Sequence, residues 1–219
     1  MGPATEQAFE IPATIAVLPL RNAVLFPGSI LPLEVGRKKS VELVQAAVAS
    51  GHPIIAVVGQ RAADVEDPGP GDLYTVGCAV RILKVINMAA SKHAVIVQGL
   101  VRVRVLGVVG ELPFMTANVQ AAPDPPGTDA EFETLVRELK DLAKRVIALM
   151  PELPREANAL VDRLADPGQL ADFLASNLEL PVEEKQQVLE TLDVKARLQK
   201  VQQALAAAHE GLERRQQGT

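Results

Sequence analysis

The nine residues 121–129, AAPDPPGTD, divide the chain into two parts of different composition. Their three prolines and one glycine cannot continue a strand or a helix, because proline lacks a backbone N–H and fixes φ. Before this stretch the apolar runs are short, alternating and rich in Val and Ile; after it, apolar residues recur every three or four positions. The sequence therefore predicts a β domain over residues 1–122, a linker over 123–129 and a helical domain over 130–219.

The first part contains short apolar runs that are typical of strands, and one amphipathic helix. The predicted strands cover residues 14–20, 30–35, 53–59, 74–86, 92–100, 101–109 and 113–121. The helix covers residues 37–50 and is followed by Gly51, a residue suited to the C-terminal end of a helix. Short strands, short turns and a single helix predict a closed or half-closed antiparallel barrel, and the whole chain is placed in the α+β class.

The second part predicts a bundle of helices bounded by prolines and ending in a long helix. These helices cover residues 129–150, 154–165, 168–178, 181–191 and 194–216. The last one has a heptad seam of apolar residues at Val194, Leu198, Val201, Leu205, Ala208 and Leu212. Because this seam is long for a helix that only closes its own bundle, we expect its first four residues to mediate oligomerisation or docking of another protein. Packing of the seam on the preceding helices is the alternative, and the sequence leaves both open.

The composition argues against nucleic acid and membranes as partners. The 219 residues carry a formal charge of −5, and one Tyr, five Phe and no Trp offer few stacking surfaces for bases. No apolar run reaches the length of about 18 residues that a membrane span needs, and the N-terminus does not resemble a signal peptide. The single cysteine, Cys78, lies in an apolar run and indicates a reducing compartment, so a cytoplasmic location is expected.

The residue types that carry catalysis and metal binding are scattered along the chain. His52, His93 and His209 lie in different elements without the spacing of paired ligands, so no metal site and no cofactor are predicted. Cys78 is expected in the core, and no Gly-x-Ser-x-Gly motif offers a nucleophile. The glycines of residues 67–72, DPGPGD, alternate with prolines and predict a solvated acidic loop instead of a phosphate-binding loop. No catalytic residue is therefore assigned.

Two arginines follow the alternation of a predicted strand. Arg102 and Arg104 share one face of residues 101–109, and valines occupy the other. We expect both guanidinium groups to face solvent.

An unusual apolar cluster lies in residues 18–28, LPLRNAVLFPG. Three large apolar residues stand there between a polar pair and a Pro-Gly turn, both of which resist burial in a regular element. Because exposed apolar patches usually mark binding sites, we predict that residues 22–27, the contact loop, bind another protein chain. The predicted contact residues are Asn22, Ala23, Val24, Leu25, Phe26 and Pro27. The alternative is that the three apolar side chains fold inward and close the end of the barrel.

Several segments resemble the amino-terminal domain of Lon proteases, the ATP-dependent AAA+ proteases. Residues 18–40, LPLRNAVLFPGSILPLEVGRKKS, resemble the opening strands and first helix of that domain. Residues 64–85, DVEDPGPGDLYTVGCAVRILKV, and 95–105, VIVQGLVRVRV, are similar to its acidic loop and following strands. In the helical part, residues 170–198, LADFLASNLELPVEEKQQVLETLDVKARL, are similar to the family pattern. The resemblance covers about residues 14–205.

The resemblance implies a PUA-like β barrel followed by a helical bundle with a long terminal helix. It also implies a module that captures unfolded or damaged proteins for the AAA+ and protease modules of Lon, and that supports assembly of the protease. The chain contains no Walker motif and no Ser-Lys protease segment, so it is not expected to be an enzyme.

Two other functions stay open at this stage. One is a stand-alone Lon-domain adaptor or regulator, and the other is an RNA-binding PUA-like domain. Binding of unfolded protein should depend little on salt, whereas binding of RNA should weaken steeply as the salt concentration rises.

Overall fold

The structure is a computed structural model that describes residues 10–88, 92–126, 129–154 and 156–218. The chain forms two compact units, of which unit 1 ends at Ala122 and unit 2 begins at Pro123. In the described residues, unit 1 contains six strands and one α-helix, and unit 2 contains five α-helices. The chain is therefore of mixed α+β class, as the sequence predicts.

The elements of unit 1 follow the apolar runs of the sequence closely. They are β1 (Thr14–Leu20), β2 (Ile30–Val35), α1 (Lys38–Ala49), β3 (Ile54–Gly59), β4 (Val76–Asn87), β5 (His93–Gly110) and β6 (Thr116–Ala121). The two strands predicted over residues 92–100 and 101–109 are wrong in one respect, because they form the single long strand β5. The glycine between them, Gly99, does not make a turn; it lets another segment of backbone approach the strand.

The six strands form one mixed sheet in the order β2-β5-β4-β3-β1-β6. β5 also pairs with β6, so the hydrogen-bonded path from β5 through β4, β3, β1 and β6 returns to β5. β1 and β3 are parallel, which corrects the expectation of an entirely antiparallel arrangement. A parallel pair needs a long connection between its strands, and here β2 and α1 supply it.

Four residues stand outside the ladder of strand pairs at β-bulges: Leu83, Leu100, Leu106 and Val109. Leu83, Leu106 and Val109 have exposed fractions of 47, 65 and 61%. A bulge adds one residue to one strand and turns its side chain away from the regular alternation, which accounts for large apolar side chains at the surface here.

β2 is an edge strand that contains a proline. Among the residues the structure describes, β2 pairs with β5 and with no other strand. Pro32 lies in the middle of β2 and has no N–H to donate. Proline is tolerated in a strand where the missing N–H would point away from the partner, so the outer edge of β2 lacks a central donor.

Unit 2 is a bundle whose helices begin at well-formed caps. It consists of α2 (Ala130–Ala148), α3 (Glu156–Arg163), α4 (Pro167–Asn177), α5 (Val182–Glu190) and α6 (Val194–Gln217). The side chains of Asp129, Asp166 and Asp193 accept hydrogen bonds from the first-turn N–H groups of α2, α4 and α6. These caps satisfy donors that have no partner within the helix.

A buried ion pair fixes the first residues of unit 2 to α6. The guanidinium of Arg197, which is fully buried, donates to both carboxylate oxygens of Asp124 at 2.7 and 2.8 Å. Asp172 of α4 lies 3.7 Å from the same guanidinium. A Cβ placed on Gly168 would lie 2.1 Å from the Asp124 carboxylate, so a larger residue there would displace this carboxylate from Arg197. Burial opposes the charge of Arg197, but its carboxylate partners outweigh burial and raise the pKa.

No helix in the described ranges is long and apolar enough to cross a bilayer.

Candidate functional site

The three apolar residues of the contact loop are buried. Val24, Leu25 and Phe26 have exposed fractions of 8, 2 and 0%. The prediction that they are exposed is therefore wrong, and the inward-packing alternative is correct. Asn22 and Gly28 adopt left-handed backbone conformations with φ of 50° and 83°. The backbone thus turns at both ends of this segment, and the apolar residues between the two turns pack into unit 1.

The end of the contact loop is fastened to β5 at Gly99. The N–H of Gly28 donates to the carbonyl of Gly99 at 2.9 Å, and the N–H of Gly99 donates to the carbonyl of Ser29 at 2.8 Å. A Cβ placed on Gly99 would lie 2.3 Å from the carbonyl oxygen of Phe26, well inside van der Waals contact. Only glycine permits this approach of two backbones.

Three of the predicted contact residues remain accessible. Asn22 is exposed, and Ala23 and Pro27 are half-buried. Their role in binding a protein chain stays a prediction, but it lacks the large apolar side chains on which it was based.

The heptad seam of α6 is also buried within its own unit. Its first four side chains have exposed fractions between 0 and 6%, and they are Val194, Leu198, Val201 and Leu205. α6 packs against α2 and α4, so the expectation of a seam open to an outside partner is wrong. α2 and α4 cover the seam, because the surfaces that they turn toward α6 are apolar too. Oligomerisation through these residues stays a prediction that would require the bundle to open.

One of the two arginines expected at the surface is buried. Arg102 has an exposed fraction of 2%, whereas Arg104 is exposed as predicted. The register of β4 against β5 shifts between Ala79 and Val80, which changes the local alternation near Arg102. Strand period alone could not reveal this shift.

Apolar side chains do reach the surface on one face of the sheet of unit 1. The register of β2, β5 and β4 places nine side chains there in three cross-strand rows, which we call the outer sheet face. The rows are Ile30, Gln98 and Arg81; Pro32, Ile96 and Lys84; Glu34, Ala94 and Ile86. Cross-strand partners point to the same side of a sheet, and the alternating positions Leu33 and Val95 belong to the core, so these rows face outward.

The outer sheet face is apolar over much of its area. Ile30 and Ile86 have exposed fractions of 58 and 40%. Pro32 is exposed, and Ile96 and Ala94 are half-buried. A contiguous group of such residues at the surface is typical of a binding surface.

On this face Glu34 has a partner of opposite charge, and Lys84 has none among the described residues. Lys92, next to the face, forms an ion pair with Glu34 at 2.8 Å, and this hydrogen bond and charge raise the pKa of the Lys92 ammonium. Lys84 is exposed and makes no hydrogen bond or ion pair with the residues that the structure describes. A positive charge without a counter-charge therefore lies beside Ile96, its cross-strand neighbour.

A second concave feature of unit 1 lies at the start of α1, and we call it the α1 groove. It has a volume of about 300 Å³. Its floor is apolar, with Val17, Pro19, Leu43, Phe114 and Met115. Residues 37–40 and 66–68 form its walls.

Ion pairs connect the acidic residues of the groove to Lys39 of α1 and to Arg21, which follows β1. Lys39 donates to Asp67 at 2.9 Å, and Arg21 donates to Glu66 at 2.9 Å. The Arg21 guanidinium, through its hydrogen bond and its charge, lowers the pKa of the Glu66 carboxyl. Burial, followed by the charge of Arg21, lowers the pKa of Arg37. The Lys39–Asp67 ion pair therefore joins two segments that line the groove, and the apolar residues of the lining are suited to contact with an apolar side chain.

Within the described ranges, no three residues of the His, Cys, Asp and Glu types come together to hold a metal ion. Cys78 is fully buried in the core, as the sequence predicts. What the outer sheet face offers is contact area with a local positive charge, which is suited to binding a polypeptide.

Comparison with known proteins identifies relatives over most of the chain. Residues 14–207 match the family model described as the ATP-dependent protease La (LON) substrate-binding domain. The Lon protease of Anaeromyxobacter dehalogenans is 48% identical over 197 residues, which cover 90% of this chain and 23% of that protein. Lon protease 2 of Myxococcus xanthus is also 48% identical over 197 residues, or 90% of this chain and 24% of that protein. The chain thus spans about a quarter of the length of these relatives.

Solved structures show the same fold. The N terminal domain of the Mycobacterium avium complex Lon protease has a TM-score of 0.73 and 26% identity, and the match covers 88% of this chain and 98% of that one. The Lon N-terminal domain protein from Xanthomonas campestris has a TM-score of 0.61 over 86% of this chain and 96% of that one; at 20% identity this likeness concerns the fold alone. With the family model spanning residues 14–207, the chain belongs to the family of substrate-binding domains of ATP-dependent protease La (Lon).

Proposed function

We propose that this chain is the substrate-recognition module of a Lon protease and that it binds unfolded or damaged proteins on the outer sheet face. The observation that supports this proposal is the exposure of Ile30 and Ile86 on a sheet face of a domain in this family. An unfolded chain offers apolar side chains and backbone in no fixed arrangement. A sheet face on which five apolar residues lie among polar and charged ones suits weak binding of many such chains.

The area available on this face sets the strength of the expected contacts. Complete burial of a large aliphatic side chain contributes about 1.5–3 kcal/mol, and these two isoleucines have 58 and 40% of their surface left to bury. Each isoleucine should therefore contribute about 1 kcal/mol to binding. Loss of both should weaken binding by about thirtyfold, which corresponds to about 2 kcal/mol.

The test is a binding titration with reduced, unfolded casein that carries a fluorescent label. The double variant Ile30→Ser and Ile86→Ser should bind casein about thirtyfold more weakly in fluorescence anisotropy. Its melting temperature should change little, because substitutions at exposed positions usually cost under about 0.5 kcal/mol each.

A matched control removes two other exposed apolar side chains of unit 1. Leu106 and Leu112 have exposed fractions of 65 and 81% and lie outside the outer sheet face. Leu106→Ser with Leu112→Ser should leave the affinity for casein within about twofold. An unchanged affinity in a folded Ile30→Ser, Ile86→Ser variant would contradict the proposal, as would a loss confined to the control variant.

The proposal also covers the partner modules, the activity, the barrel type and the location of this module. We propose that it acts together with the AAA+ and protease modules of Lon and supports their assembly, and that it has no enzymatic activity of its own. We further propose that the closed path of strands in unit 1 corresponds to a PUA-like barrel. The buried thiol of Cys78 suits a reducing compartment, which supports a cytoplasmic location for the module.

A further inference from the structure

We infer that the outer sheet face selects extended polypeptide segments in which an acidic residue stands beside apolar residues. The inference rests on the proposed function and names the class of segment that is bound. Its basis is the position of Lys84 among apolar side chains on an exposed face.

Lys84 is the charged group of the outer sheet face that is available to form an ion pair with an incoming segment. The negative charge of Glu34 is already paired with Lys92 at 2.8 Å. Arg81, the other cation of the face, is half-buried and already interacts within the chain. Lys84 is exposed and without a partner among the described residues, so an incoming carboxylate would gain an ion pair without breaking one.

The spacing of the face matches the spacing of an extended chain. Lys84 lies across the ladder from Ile96, at a separation of about 5 Å, and two residues along β4 from Ile86, at about 7 Å. An extended segment also presents side chains on one side every two residues, about 7 Å apart. An acidic residue two positions from an apolar one can therefore reach Lys84 while its neighbour covers an isoleucine. A basic residue in that position would meet a like charge.

The test uses three labelled peptides that share the same apolar residues at every fourth position and differ only at the positions midway between them, two residues from each apolar one, which are Asp, Gln or Lys. In titrations against the 219-residue chain at low salt, the Asp peptide should bind about threefold more tightly than the Gln peptide. The Lys peptide should bind about threefold more weakly than the Gln peptide. These differences should disappear near about 1 M salt, where charges are screened beyond about 3 Å.

Two charge reversals in unit 1 locate the effect. Lys84→Glu should invert the order of the Asp and Lys peptides. Lys38→Glu is the matched control, because Lys38 is also exposed but lies at the α1 groove and not on the outer sheet face. This control should leave the order of affinities unchanged.

The possible outcomes separate the inference from the proposed function. Equal affinities for all three peptides would overturn the inference while the proposed function stands. Absence of binding by all peptides and by unfolded casein would overturn both. Inversion by Lys38→Glu instead of Lys84→Glu would move the preference to the α1 groove and overturn the inference. Displacement of the Asp peptide by a single-stranded RNA oligonucleotide, with a steep dependence on salt, would assign the charge of Lys84 to phosphate binding and overturn the inference.

Discussion

Phe26 should be one of the main contributors to the stability of unit 1. Its side chain is fully buried, and its backbone carbonyl lies against Gly99. Replacement of a buried Phe by Ala removes the transfer free energy of the ring and leaves a cavity, which together cost about 3–5 kcal/mol. With a urea dependence of about 1.5 kcal/mol per molar, Phe26→Ala should lower the unfolding midpoint by about 2–3 M.

The chain provides its own probe for this measurement. It contains one tyrosine and no tryptophan, so tyrosine fluorescence reports on unit 1 alone. That residue, Tyr74, is half-buried, with the guanidinium of Arg61 4.8 Å from the centre of its ring. Ile30→Ala, at a position with an exposed fraction of 58%, is the matched control and should cost under about 0.5 kcal/mol.

If Phe26→Ala does not fold, the more conservative variant Phe26→Leu tests the contribution of this side chain to stability. Phe26→Leu retains most of the apolar volume and should cost about 1–1.5 kcal/mol without changing the affinity for casein. A Phe26→Ala variant with the midpoint of the wild type would refute the assignment of this residue to the core. A folded Phe26→Leu variant that has lost affinity for casein would restore the contact loop as the binding site.

Two further predictions concern ion pairs. Asp124→Ala should destabilise unit 2 by about 2–4 kcal/mol in thermal melts followed by far-UV circular dichroism, because it leaves the buried guanidinium of Arg197 without its nearest counter-charge. The control Glu210→Ala, which removes an exposed helical ion pair, should cost under about 0.5 kcal/mol. Equal effects of the two variants would contradict this reasoning. The Glu66 carboxyl should titrate below its ordinary pKa in NMR, and Arg21→Gln should raise this pKa toward the ordinary value, while the charge of Arg37 still lowers it. Since the native pKa is lowered, the contribution of the Arg21–Glu66 pair to stability is present above the ordinary carboxyl pKa and is lost as the pH falls through the native one.

The helices and strands of this chain could be placed from sequence because their signals are local. Apolar period, prolines and capping residues lie within each element, so the predicted and observed bounds of α6, residues 194–216 and Val194–Gln217, differ by one residue. The break predicted inside β5 was wrong because Gly99 serves a contact with Phe26, a residue distant in sequence. The parallel pairing of β1 and β3 was missed for the same reason, since strand order is not a local property.

The candidate site was harder to predict than the fold. Polarity around Val24, Leu25 and Phe26 indicated a surface loop, but the direction in which a loop turns depends on backbone conformations that flank it. The alternation of β2 does separate Leu31, Leu33 and Val35 from the outward positions. It could not show that β5 and β4 add apolar side chains to the same face, because this depends on strand register.

Pro32 has a consequence for the behaviour of the module beside aggregating proteins. Unfolded chains readily extend a sheet by adding to an open edge, and a protein that holds them risks becoming the seed of a cross-β fibre. The outer edge of β2 cannot offer a continuous row of donors, since Pro32 removes the central one. A chain bound on the side chains of the outer sheet face, as proposed above, would therefore find no continuous template for fibre growth at the edge of β2.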